Sequence, residues 1–168
     1  RRVDLLHDRL DWPEVEESGG TLEENALLKA RAVAAATGLP ALADDTGLEV
    51  AALGGAPGVH TARYAGPEAR YADNRRALLA ALDGVLDRRA RFRTVVALVV
   101  PGEAELLAEG ILEGVITTAE RGGAGFGYDP IFAVDGRTLA EMTEEHKNLI
   151  SHRAGALAAL AAGRYLQW

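Results

Sequence analysis

Asp44 and Asp45 stand side by side, after the apolar run 39–43 and before a Thr46-Gly47 step. Adjacent carboxylates raise each other's pKa unless a cation or hydrogen-bond donors compensate. Such a pair suits a divalent-cation site or a general base for an attacking water. It equally suits the cap of a following turn, and Thr46-x-x-Glu49 is itself a capping box. Glu24 is a third carboxylate with two readings: a metal ligand, or the return arm of a second capping box, Thr21-x-x-Glu24. Near the end of the chain, Lys147, His152 and Arg153 form a basic group. Ser151 is a good N-cap, which sets His152 and Arg153 in a first helical turn where the dipole disfavours cations. Placed there, they point to an anionic or acceptor-rich ligand. Between these groups runs Gly122-Gly-Ala-Gly-Phe-Gly-Tyr-Asp-Pro130, with four glycines in six residues. The glycines let backbone N–H groups approach a ligand, and Phe126 offers a flat stacking surface. The plain alternative is an ordinary surface loop.

The elements that must position these groups read as follows. Residues 39–43 are a short buried strand ending at the two acids, where ligands of α/β sheets gather. Alternation along a strand turns only one of the two acids toward a shared site. A helix spans 22–36, ended by Gly38 and Pro40, with Leu22, Ala26, Ala30, Val33 and Ala34 on its inner face. A short helix covers 48–53, and a turn-rich loop follows to Gly66. Residues 73–82 are helical, with Leu78, Leu79 and Leu82 inward and Asn74, Arg75 and Arg76 outward as a solvated face. Residues 92–100 form the clearest strand. Strands at 106–109 and 111–117 continue an antiparallel meander, with Gly110 and Gly114 at bulges or bends. A strand at 131–134, short helices from Thr138 and Thr143, and an Ala-rich helix running to about residue 166 complete the chain. Residues 1–6 read as a brief strand followed by a loop through Pro13. Helices alternate with strands early and a meander follows, which means α/β with a mixed sheet.

A chain of 168 residues is long enough for one domain with a real core. The net charge of −7 and pI near 5.1 argue against a general binder of nucleic acid or of a membrane surface. They leave room for a small polyanion held through a divalent cation. The absence of cysteine rules out a disulfide framework and a thiolate zinc site, and fits a cytoplasmic protein. No apolar run has the length of a membrane span.

Five stretches in order carry a resemblance: Thr21-Leu-Glu-Glu-Asn-Ala-Leu-Leu-Lys-Ala-Arg31, Ala43-Asp-Asp-Thr-Gly-Leu-Glu-Val50, Gly54-Gly-Ala-Pro-Gly-Val-His-Thr-Ala-Arg-Tyr64, Gly125-Phe-Gly-Tyr-Asp-Pro130 and Lys147-Asn-Leu-Ile-Ser-His-Arg153. Together they resemble the Ham1-like inosine triphosphate pyrophosphatases. The resemblance implies a mixed twisted central sheet with flanking helices in two lobes, a nucleotide cleft between the lobes, and a homodimer. It implies Mg2+-dependent cleavage of ITP, dITP or XTP to the monophosphate and pyrophosphate, which cleanses the nucleotide pool. Matched residue by residue, Asp45 falls on the catalytic acid and metal ligand, Glu24 on a second metal ligand, and Thr46 on a substrate contact. Phe126, Gly127, Tyr128 and Asp129 match the base-binding loop, and Lys147, His152 and Arg153 the remaining nucleotide contacts. Residues 1–168 are expected to be one such domain. Members of the family begin with a strand and a Ser/Thr-x-Asn-x-x-Lys phosphate loop that this sequence lacks, so both are expected to be missing. Rival readings are a Maf-like pyrophosphatase for other modified nucleotides, and a nucleotide-binding domain inactive for want of that loop.

Overall fold

The computed structural model describes residues 15–167, so the strand and loop expected over 1–13 lie outside the described residues. Helix α1, Leu22–Thr37, starts at the cap expected for it. Thr21 Oγ1 accepts from the Glu24 N–H at 3.1 Å, and Gly38 closes the helix at φ +67° by donating to the Ala34 carbonyl. The Glu24 carboxylate folds back one residue further than a capping box requires, accepting from the Gly20 N–H at 2.6 Å. The predicted face is buried at Leu22, Ala26, Ala30 and Ala34, joined by Asn25 and Leu27.

The sheet is built on three long strands: β1 Ala41–Val50, β3 Arg89–Val99 and β4 Leu106–Ile116. Short strands β2 Pro57–Gly58, β5 Phe132–Val134 and β6 Arg137–Thr138 extend it to the order β2-β1-β3-β4-β5-β6. Every pairing among the described residues is antiparallel. The α/β class holds, and where a mixed sheet was expected the pairings among the described residues are antiparallel. Helix α1 packs on one face against β1 and β3. Helix α4, His152–Ala161, packs on the other against β3 and β4. Helices α2, Tyr71–Ala81, and α3, Glu144–Leu149, complete the fold. A second core gathers Leu48, Leu78, Leu82, Phe92, Ile131 and Phe132 at the other end of the sheet.

Four expectations are corrected. Strand β1 does not end at the acids, and no helix starts at Thr46. Pairing with β3 runs from Ala41↔Val99 to Val50↔Ala90, so the ladder holds Thr46, Gly47 and Glu49 extended, and only the 3-10 turn Ala51–Leu53 follows. Gly110 and Gly114 mark neither bulges nor bends, because both lie inside one unbroken strand. A Cβ on Gly110 would meet the His152 carbonyl at 2.0 Å and the Ala156 nitrogen at 2.3 Å, and one on Gly114 would strike the Phe132 ring. These glycines let α4 and an aromatic ring touch the sheet. Asn74 and Arg75 do not face solvent: Asn74 is fully buried, and the Arg75 side chain is only 15% exposed. Helix α4 stops at Ala161 rather than near residue 166, after which the Leu166 N–H returns to the Leu107 carbonyl at 2.8 Å.

Candidate functional site

Alternation along β1 splits the acidic pair between the two faces of the sheet. Asp44 and Thr46 share the α4 face, while Asp45 turns to the α1 face. Their partners agree: Asp44 sits opposite Val96, which packs with Ala156, and Asp45 opposite Val95, which packs beneath α1.

On the α4 face lies a cleft of about 570 Å³, within the usual range for a small-molecule site. Its walls come from β1, β3 and β4, the 61–62 turn, the glycine loop, α3 and the start of α4. Thr46, Phe126, Gly127, Tyr128, Asp129, Lys147, His152 and Arg153 all line it, although they lie in three separate stretches of sequence. Phe126 is 69% exposed, unusual for so large an apolar ring. The Lys147 ammonium lies 5.6 Å from the centre of that ring and bonds the Asp129 carboxylate at 2.5 Å. The same Asp129 oxygen accepts from the Phe126 N–H at 3.0 Å, and a Cβ on Gly125 would collide with it at 2.1 Å. The loop is therefore wound around Asp129 Oδ2, which takes both internal bonds. Tyr128 is buried, donates its hydroxyl to the Thr61 carbonyl at 2.9 Å, and is held well above its ordinary pKa by burial.

His152 forms part of the floor. Its ring stacks on Phe92 with centroids 5.0 Å apart and planes 13° apart. Among the described residues its Nδ1 is the one buried side-chain polar atom without a hydrogen-bond partner. Burial, assisted by the neighbouring Arg153 charge, pushes its pKa down to about 4. It is neutral at physiological pH, with one ring nitrogen a donor and the other an acceptor. Arg153 is tied to β1 through Asp44, with Nε and Nη2 at 3.0 and 2.9 Å from one carboxylate oxygen.

Asp45 and Glu24 do not line this cleft. Asp45 is nearly buried and receives Lys29 Nζ at 2.9 Å and Asn25 Nδ2 at 3.3 Å. Lys29 also meets Glu17 at 2.8 Å, so two carboxylates converge on one ammonium. Burial raises the Asp45 pKa against the pull of Lys29. For Lys29, burial acts downward but its bonds to Glu17 and Asp45 outweigh it, and its pKa is raised. Asn25 and Lys29 were not anticipated as site residues. An Asn four residues after the Thr21 cap, poorly suited to a helix interior, was the available signal. Among the described residues no three His, Cys, Asp or Glu side chains gather closely enough to hold a metal on their own.

The sequence model of the Ham1 family matches residues 1–163. The chain is 59% identical over 154 residues to the dITP/XTP pyrophosphatase of Syntrophobacter fumaroxidans, covering 90% of this chain and 66% of that protein. It is 58% identical over 151 residues to the protein of the same name from Symbiobacterium thermophilum, covering 88% and 76% of the two. The solved structure of the Staphylococcus aureus Ham1 protein superposes with a TM-score of 0.86 at 43% identity, over 89% of this chain and 79% of that one. The fold, the order of the motifs and these similarities agree: the chain belongs to the Ham1 family.

Proposed function

We propose that this protein hydrolyses non-standard purine nucleoside triphosphates (ITP, dITP and XTP) to the monophosphate and pyrophosphate. The observation that carries the reading is the floor and rim of the cleft. An exposed aromatic ring with an ammonium beside it, a neutral histidine with an unpartnered buried nitrogen, and an arginine steadied by a carboxylate suit a flat, oxygen-bearing heterocycle attached to phosphates. Hypoxanthine and xanthine offer a 6-oxo acceptor and an N1–H donor, where adenine offers a 6-amino donor and a bare N1. Donors from His152 and Arg153 match the oxo group and leave adenine with mismatched, desolvated groups. Lys147 and the Phe126 N–H engage only Oδ2 of Asp129, so its Oδ1 or a backbone carbonyl of the loop accepts N1–H. Thr46, hydrogen-bonded to Thr94 at 2.7 Å, stands on the cleft face, while its chain neighbour Asp45 points to the other face of the sheet.

Mg2+ dependence is part of the proposal. Asp45 is a desolvated carboxylate that demands a cation, and Lys29 meets that demand in this structure. Mg2+ is commonly held by one or two carboxylates and completes its shell with water and phosphate oxygens, so Asp45 and Glu24 form a fitting donor set. A metal held there by Asp45 and Glu24 would supply charge neutralisation to the leaving pyrophosphate and acidity to the attacking water. Asp45 would accept a proton from the attacking water, a role suited to a carboxylate whose basicity burial has raised. Asn25 and Lys29 hold it in place. Two-fold self-association belongs to the same reading. It is supported by the part of the α1 face beyond that helix, where exposed Ile111 and Val115 lie among the Arg91–Glu49 and Arg93–Glu109 pairs, a self-complementary pattern. A cytoplasmic location follows from where the proposed substrates occur. The deciding experiment is pyrophosphate release from ITP with and without Mg2+. Equal rates after chelation and after Mg2+ addition would remove the metal from the account.

A further inference from the structure

We propose that Arg75 is a positioning residue for the base-facing wall of the cleft, an inference that rests on the nucleotide reading above. Its guanidinium is mostly buried and uses all three nitrogens. Nε and Nη2 form a fork on the Glu120 carboxylate at 2.9 and 3.2 Å, and Nη1 donates to the Gly127 carbonyl at 2.9 Å. Glu120 lies at the entry of the connection between β4 and β5. Gly127 lies at its apex, with φ +58°, between exposed Phe126 and buried Tyr128. One side chain thus ties the entry of the loop to the glycine beside the stacking ring. The next residue back performs the equivalent task on the opposite wall. Asn74 donates to the Ala62 carbonyl and accepts from the Ala65 N–H, both at 2.8 Å, and the Tyr128 hydroxyl joins the walls through the Thr61 carbonyl. Consecutive residues of α2 therefore set the width of the cleft.

The loop needs this fixing. Its glycines leave it large backbone freedom, and the bidentate arginine fork is the geometry that confines it most. Without Arg75 the loop samples states in which Phe126 is not in place. The apparent affinity then falls by the fraction of time the loop is competent. Once the nucleotide is seated, the groups around Asp45 are unaltered, so the chemical step proceeds as before. The signature is a raised KM at nearly constant kcat, which general loss of folding does not produce.

The test compares wild type, Arg75→Ala, Arg75→Lys and Glu120→Gln. One arm measures kcat and KM for ITP; the other measures trypsin cleavage after Arg121, an exposed site within the loop, located by mass spectrometry. Arg75→Ala is expected to raise KM on the order of tenfold with kcat within about twofold, and to speed cleavage at Arg121. Arg75→Lys, which keeps a single donor group, should fall between it and wild type, and Glu120→Gln keeps the fold while weakening the fork. Unchanged KM and unchanged cleavage in Arg75→Ala and Glu120→Gln would overturn the inference. So would a fall in kcat at constant KM that tracks loss of folded protein. If wild type releases no pyrophosphate from ITP, the functional reading fails while the cleavage arm still decides whether Arg75 holds the loop.

Discussion

The two faces of the central sheet solve different electrostatic problems. The α4 face carries a cleft with incompletely satisfied polar groups, a histidine nitrogen without a partner and an arginine with donors to spare, beside an exposed phenylalanine ring. The α1 face carries charges that are closely compensated, Asp45 and Glu17 by Lys29, and Glu23 and Glu109 by Arg93. Burial of polar groups without partners is costly, so the first face is arranged for something that is not protein. The second is already neutralised, and a metal arriving there must displace or rearrange an existing cation. One dipeptide, Asp44-Asp45, serves both faces because a strand alternates. In the proposed reading, base recognition falls to one side and proton and phosphate chemistry to the other.

The sharpest way to break this division is Asp45→Asn. It removes the proposed proton acceptor from the α1 face and should lower pyrophosphate release by about 10³-fold. Circular dichroism should be unchanged, and Asn should leave binding in the cleft largely intact. Near-normal turnover would take Asp45 out of the chemistry. Gly110→Ala tests the other face, since its Cβ would drive α4 and His152 off the sheet. It should cost about 3 kcal/mol. That corresponds to a fall in Tm of roughly 6–12 °C. Phe126→Ala removes only the stacking ring. Base–aromatic stacking is worth about 1–3 kcal/mol, so KM for ITP should rise about tenfold or more with kcat little altered. The smallest effect is that of pH. With its folded-state pKa depressed from 6.5 to about 4, His152 binds a proton in the unfolded chain before it does so in the native one. Stability contributed by the neutral ring is therefore present above about pH 6.5 and is lost as pH falls toward 4, the nearby Asp129 and Asp44 charges opposing the depression. Urea unfolding at pH 7.5 and 5 should show the loss in wild type, and a smaller one in His152→Gln.

Much of this arrangement was legible from local chemistry. Thr21 and Gly38 bracket α1 because caps are determined by residues within a turn of each other. Ser151 and Thr143 mark α4 and α3 for the same reason. The cleft residues fell within stretches dense in glycine and in misplaced cations, where local rules are broken at functional sites. What was misread depended on partners far away in sequence. Thr46-x-x-Glu49 has the form of a capping box, yet ten consecutive pairings with β3 hold it extended. Gly110 and Gly114 resemble bends until a helix and a ring from later in the chain press against them. Arg75 reads as one more solvated charge because its partners lie 45 and 52 residues away. Asp45 and Thr46 are adjacent in sequence but separated by the thickness of the sheet, which only the register of the ladder establishes.

The central claim is that the cleft selects oxo-purine bases for hydrolysis. It is tested most directly by kcat/KM for ITP and ATP in the presence of Mg2+, in wild type and Arg153→Ala. The account predicts a preference for ITP of at least about a hundredfold in wild type, shrinking in Arg153→Ala as adenine loses less by comparison. Comparable rates for ITP and ATP in wild type, or an equal slowing of both substrates in the variant, would contradict it.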